Sequence, residues 1–395
     1  MVRAVITGAS CLTSAGLDPA GLAAALSAPL SGIAPVSTAK DQTPDVLAGL
    51  IGSLDEEIKA HVPTKLKRRM NRLSLMSCVA VGQALASAGI SGSGVEETGL
   101  ILATAFGGTS QCALFYGGLL DEGERLVNPA HFPETVPSAP AGQAAICFGL
   151  KGPSTTVCQQ SLSSEYALFI AQEMIASGMA ERLVVLAVEE MCPALLSGFA
   201  AMGIVKRPDE MTGSGVRLSP RTLPGEGAVA LVLEHPGCAR KRGAAPWAEL
   251  ARVEAGGGAF VSARYGRPGP EAAEYAKRAC RECGPPDMIV TSGSFVRQAD
   301  QSLWEGLGRA FGPDALAVAP EYATGHLFGA GLARVVLGAY ALTGNEIPCA
   351  SLSTPLPEIV RPSGLFTRTA RASNLALVSS ACPGGGASAI VLRRI

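Results

Sequence analysis

The sequence has almost no excess charge of either sign, and that absence sets the first bound on its function. Its 32 Lys and Arg face 33 Asp and Glu, giving a formal net charge of -1 with only 16% charged residues. A general polyanion binder needs a positive field that this balance does not supply, so no nucleic-acid partner is expected. No uncharged run reaches the about 18 apolar residues of a membrane span. The start, Met1-Val2-Arg3-Ala4-Val5-Ile6, reads as a strand leading to a glycine turn rather than as a signal peptide. A cytoplasmic location without membrane contact is expected. Metal-ligand spacing is also lacking: Cys280 and Cys283 form one Cys-x-x-Cys pair with no second pair or histidine to complete a zinc set, so no metal is expected. The 11 cysteines are odd in number and scattered through apolar segments such as those of Cys78, Cys147 and Cys349, as reduced core cysteines are. Aromatics make up only 5%, whereas 47 glycines and a 48% hydrophobic share suit helices packed closely on parallel strands, with a large obligate interface.

The most informative segment runs from Gly152 to Ser161. Thr155, Thr156, Val157 and Cys158 form a short β-branched run that reads as a strand, with the Cys158 side chain packed inside it. After Ser161, the residues Leu162, Tyr166, Ile170 and Met174 recur at helical spacing, and Gly178 ends the helix. Leu183 to Val188 is an unbroken apolar run, expected as a strand buried on both faces. Strand, turn and helix thus put Ser161 at a helix N-terminus, where unpaired N–H groups favour a negative group.

This region resembles the β-ketoacyl synthases of the thiolase superfamily, in which Gly-Pro and seven strand residues lead to a nucleophilic cysteine. The resemblance extends along the chain: Val5-Ile6-Thr7-Gly8 with Leu12 to Gly16, Arg69-Met70-Asn71-Arg72, Asn128-Pro129 through Gly152-Pro153, Gly225-Glu226-Gly227-Ala228, and Gly325-His326-Leu327-Phe328-Gly329-Ala330-Gly331. It implies an α/β fold, a thiolase-like five-layered αβαβα sandwich built from two similar halves. The expected division is residues 1–234, a polar linker at 235–246, and residues 247–395.

Departures from the family pattern fall on the chemistry. The cysteine position is Ser161, the first histidine falls on Ser292, the usual lysine on Glu321, and the gating phenylalanine on Gly384; only His326 survives. A helix N-terminus can bring a thiol pKa down from about 8.5 into a useful range. A serine hydroxyl instead needs an adjacent general base. Loss of one donor to the forming enolate costs about 10²- to 10³-fold, and Glu321 adds negative charge where the enolate would form. Without partners, His326 reads equally well as a satisfied interior histidine.

A ketosynthase-like chain without its cysteine resembles the chain-length factors, or ketosynthase β subunits, of type II polyketide synthases. That resemblance implies a heterodimer with an active ketosynthase, an interface tunnel that limits chain length, and no cofactor beyond the phosphopantetheine arm delivered by acyl carrier protein. Those proteins usually carry glutamine at the cysteine position, whereas here glutamine occupies Gln159 and Gln160. By the same resemblance Cys112, Phe115, Tyr116 and Phe132 approach the partner and the tunnel end, and ordinary interface packing accounts for them equally well. Lys65, Lys67, Arg68 and Arg69 are candidates for carrier-protein docking, although a solvated helix face is the plainer reading. Two further readings stay open: a serine-based acyltransferase, hydrolase or decarboxylase at Ser161, and a homodimeric scaffold that binds carrier protein.

Overall fold

The computed structural model describes residues 2–38, 45–257, 267–361, 365–371, 374–382 and 385–395. Twelve strands join in one mixed sheet: β1 Val5–Thr13, β2 Gly99–Ala103, β3 Ser154–Val157, β4 Arg182–Glu189, β5 Gly227–Glu234, β6 Ala248–Gly257, β7 Met288–Thr291, β8 Leu316–Val318, β9 Ile347–Ser351, β10 Arg368–Ala370, β11 Leu375–Ala381 and β12 Gly386–Arg393. Two five-strand units share one pairing scheme. In the order β1-β5-β4-β2-β3 the pairings run antiparallel, antiparallel, parallel, parallel, and β6-β12-β11-β7-β8 repeats that sequence. The units meet where Val5 pairs with Glu249 and Ile6 with Ala248. The sheets are therefore mixed, not purely parallel as strand and helix alternation alone suggests; apolar runs record burial but carry no strand direction.

Helices α1 Arg72–Ser87, α2 Thr109–Glu122, α3 Ala139–Phe148, α4 Ser163–Ala176, α5 Pro193–Ala201, α6 Gly269–Cys280, α7 Arg297–Phe311 and α8 Leu332–Leu342 complete the layers. α4 packs on β4 and β2 of the first unit and on β6 of the second, while α8 packs on β11 and β7 and also on β1 and β5. These two helices form the central layer. α1 covers the outer face of the first unit and α6 that of the second. The result is the expected five-layered thiolase-like sandwich.

Three local expectations change. The fully buried positions of α4 include Ala167, Leu168, Ala171 and Ile175, with Tyr166, Ile170 and Met174 only half-buried, because a helix held between two sheets brings its small residues closest to them. Residues Pro236–Lys241 form a short helix within the segment expected as a linker, with proline at its first turn and the His235 side chain accepting from Gly237 N–H. Cys158 lies just beyond β3 and is exposed, since β3 is the free edge of the sheet.

Candidate active site

The turn that carries Ser161 is built by its neighbours. Gln160 adopts a left-handed φ of 48°, a conformation that costs a non-glycine residue on the order of 1 kcal/mol. Ser163 Oγ accepts from Gln159 N–H at 2.8 Å and lies 3.0 Å from the Thr104 carbonyl, tying the turn to the end of β2. Ser161 then sits two residues before α4, buried at 5% exposure.

The Ser161 hydroxyl meets His326: Oγ and Nε2 are 3.3 Å apart, and the other ring nitrogen, Nδ1, lies 3.2 Å from the Gly293 carbonyl. A carbonyl only accepts, so Nδ1 carries the proton and Nε2 accepts from Ser161. Burial, reinforced by the Arg334 charge, pushes the imidazole pKa down to about 4. His326 is therefore neutral near neutral pH and in contact with a hydroxyl.

Ser292 follows β7, and its Oγ accepts from Ala381 N–H at 3.1 Å, which fixes it against β11. It shares a small cavity with His326. Glu321 joins the same constellation, with Oε2 accepting from Gly293 N–H at 3.1 Å. Its charge is not left bare as the sequence suggested. Arg334, from α8, contacts Glu321 Oε1 directly, donates to Glu165 Oε1 at 2.8 Å and to Ser380 Oγ at 3.0 Å, and all three charged side chains are buried. Burial still raises the Glu321 carboxyl above its ordinary range, with Arg334 opposing the shift. Arg334 and Glu165 were not anticipated, although a single arginine in the apolar run Leu332–Leu342 is itself a signal of a buried partner.

Two further carboxyls hold the surrounding loops. Glu189 accepts from the Ala105 and Phe106 N–H groups and from Thr104 Oγ1, and burial pushes it up to about 8. Asp300 accepts from Ser294 N–H, Ser294 Oγ and Tyr322 OH, and burial pushes it up to about 6. Through these bonds Asp300 sets the loop that includes Gly293.

A cavity of 1620 Å³ reaches this centre. Its lining includes the buried Ser161 and Phe199, the half-buried Phe106, Phe328 and Arg297, and the exposed Arg267, Arg309 and Glu305. Lys65, Lys67, Arg68 and Arg69 are exposed and lie outside its lining. So do Cys112, Phe115, Tyr116 and Phe132, which instead form a surface cluster: Phe115 lies 5.4 Å from the Phe132 ring and 5.7 Å from that of Tyr116, and Cys112 Sγ is 3.5 Å from the Thr135 carbonyl. Gly384 lies outside the described residues.

The fold is that of the thiolase-like α/β proteins. The chain belongs to the β-ketoacyl synthase family: the model described as "Beta-ketoacyl synthase, N-terminal domain" matches residues 1–236. It is 30% identical to nodulation protein E of Rhizobium sp. (strain N33), over 79% of this chain and 78% of that protein. With 3-oxoacyl-[acyl-carrier-protein] synthase 2 of Rhizobium meliloti (strain 1021) it shares 28% identity, over 84% of this chain and 82% of that one. Among solved structures it is similar to the ishigamide ketosynthase/chain length factor, with a TM-score of 0.82 and 20% identity over 100% of this chain and 99% of that one. Among the described residues, no helix is long and apolar enough to cross a membrane.

Proposed function

We propose that this chain is the non-elongating member of a ketosynthase pair: it docks on an active ketosynthase in the cytoplasm and shapes the tunnel that limits the length of a polyketide or polyene chain. One observation carries the reading. In the cavity lining stands a buried hydroxyl instead of a thiol, and the position of the other imidazole is held by the shorter Ser292, fixed against β11 by Ala381 N–H. Claisen condensation needs a loaded acyl group and donors for the enolate, and this site lacks the usual means for both. The acyl groups would arrive on the phosphopantetheine arm of acyl carrier protein, with Lys65, Lys67, Arg68 and Arg69 as docking candidates and no resident cofactor. On this reading residues 1–234 and 247–395 are the two halves that frame the remnant site.

A partner of the same family suits the apolar surface. α2 is rich in apolar residues, yet none of its residues is buried. Leu114, Tyr116 and Leu120 on it, Phe132 and Val136 beyond it, and Ile146 on α3 are all more than 45% exposed. α2 packs on the 129–134 turn and that turn on α3, so these groups share a region of surface. Exposed apolar surface of this kind marks an interaction site.

The deciding experiment is co-expression with a ketosynthase that keeps cysteine and both histidines. Co-purification as a heterodimer is expected, and recovery of homodimers alone would defeat the proposal in favour of the scaffold. In that pair Phe115→Ala is expected to lengthen the products, because it empties the ring packed between Phe132 and Tyr116; unchanged product lengths after truncating each of the three would remove them from the tunnel.

The Ser161–His326 contact favours a second reading, a serine that accepts acyl groups, because a neutral imidazole with its proton on Nδ1 is set to act as base. Ser161→Ala separates the two. Product formation by the pair is expected to stay within about twofold of wild type, against a loss of about 10³-fold or more if Ser161 were a nucleophile. Intact mass after incubation with acyl or malonyl carrier protein gives the direct check, with no adduct at residue 161 expected.

A further inference from the structure

Three phenylalanines from distant parts of the chain meet at the buried end of the cavity. Phe106 follows β2, Phe199 lies in α5, and Phe328 comes two residues after His326. Their ring centroids are 5.0 Å apart for Phe106 and Phe328, 5.5 Å for Phe106 and Phe199, and 5.7 Å for Phe199 and Phe328. Phe328 also sets its ring against the His326 imidazole at 4.6 Å, in an edge-on arrangement. Such offset and edge-on contacts are the favourable ones for aromatic groups, so the trio is a packed unit. Its backbone agrees: Phe328 holds a left-handed φ of 45°, which packing of the ring on both sides maintains.

Behind the rings the space is filled. They pack on a separate apolar cluster that includes Met191, Leu196 and Val205, each 3% exposed or less. α2 begins three residues after Phe106, and α5, which carries Phe199, packs against α2. The trio therefore stands between Ser161 and the helix that bears Cys112, Phe115 and Tyr116. Toward the surface the walls change character. Gln298, Gln301 and Ser302 offer amide and hydroxyl groups, and Arg267, Arg297 and Arg309 offer guanidinium groups, of which Arg309 lies 3.8 Å from Glu305 and Arg297 3.6 Å from Glu358, leaving cations in excess. Such a gradient fits an arm with an anionic outer end, amide groups along its length and little bulk at its tip.

We propose that Phe106, Phe199 and Phe328 close the buried end of the cavity, so that this chain's own site takes a pantetheine-type arm bearing at most a short acyl group and excludes long acyl chains. The proposal rests on the family reading of residue 161 as the point an acyl arm reaches, but it does not depend on any partner subunit. It deepens the proposed function, because a blind site here leaves the elongating chain to be housed across the interface and not in this chain's pocket.

Calorimetric titration of the purified chain with acetyl- and decanoyl-pantetheine amides tests it. Wild type is expected to bind the acetyl amide at least about tenfold more tightly than the decanoyl amide, as a pocket without room for added methylenes does. Phe328→Ala and Phe106→Ala are expected to remove or invert that preference by admitting the longer chain. Should an alanine variant misfold by circular dichroism, Phe328→Leu serves, with a smaller shift in the same direction. Equal binding of both amides to wild type would overturn the proposal, as would a preference unchanged in every folded variant. Absence of binding by either amide to any form would overturn it too, because the cavity would then admit no arm. None of these outcomes bears on co-purification with a ketosynthase, so failure here and failure of the pairing are separable.

Discussion

Arg334→Leu is expected to cost about 3–5 kcal/mol of stability, read as a lowered urea midpoint, because it strands two carboxylates in the central layer. Glu165 and Glu321 are 1% and 0% exposed, and Arg334 is the cation that contacts both. Glu165 Oε2 already has no hydrogen-bond partner among the described residues, so nothing nearby is free to take over. The pH dependence has a defined sign. A carboxyl whose folded pKa is raised binds a proton in the native state at a pH where the unfolded chain has lost it, so stability falls as pH rises through that window. Burial already raises Glu321, and loss of the guanidinium removes the charge that opposes the shift. The deficit of the leucine variant is therefore expected to grow as pH rises and to shrink as pH falls and the orphaned Glu321 carboxyl takes up a proton. A triple variant with Glu165→Gln and Glu321→Gln beside Arg334→Met is expected to recover most of the loss, since it removes the charges together. Equal stability of Arg334→Leu and wild type would mean that the network is solvated.

The same network shows where local sequence stops being informative. β4 was legible because Leu183 to Val188 is an apolar run of strand length, and that run proved buried throughout. Strand direction was not, since it is set by partners that lie tens of residues away: β4 pairs parallel with β2 on one side and antiparallel with β5 on the other. At the site, the family pattern named Ser161 and His326 but read His326 as without partners, and the structure sets the two 3.3 Å apart. Counting could say which residue replaced the usual lysine but not what would neutralise it, because Arg334 approaches Glu321 and Glu165 only once α8 and α4 are stacked in the central layer. The wall of Phe106, Phe199 and Phe328 is a product of packing in the same way. Cys158 was misread because periodicity shows that a strand exists but not that it will be an edge.

Ser161→Cys is expected to turn residue 161 from inert to acylated while leaving the chain unable to condense. A thiol there gains the helix N-terminal field and a neutral imidazole at the distance now spanned by the hydroxyl. The imidazole is a weak base, with its pKa pushed down to about 4, so an ion pair with the thiolate is poorly held. Alkylation by iodoacetamide should therefore climb as pH rises toward the ordinary thiol value of about 8.5. Intact mass after incubation with acyl carrier protein is expected to show an adduct at residue 161 in the variant and none in wild type. Carbon–carbon bond formation should stay undetectable, because the neutral His326 holds its proton on Nδ1 toward the Gly293 carbonyl and the short Ser292 hydroxyl is the one group left at the position of the other imidazole. Adding Ser292→His supplies an imidazole donor, which is worth about 10²- to 10³-fold where it is aligned. It also removes the acceptor of Ala381 N–H, so the gain is expected at the lower end of that range. Condensation by Ser161→Cys alone would show that a single imidazole suffices, and the absent thiol would then be the whole cause of inactivity. An adduct on the wild-type serine would instead make this chain an acyl acceptor in its own right.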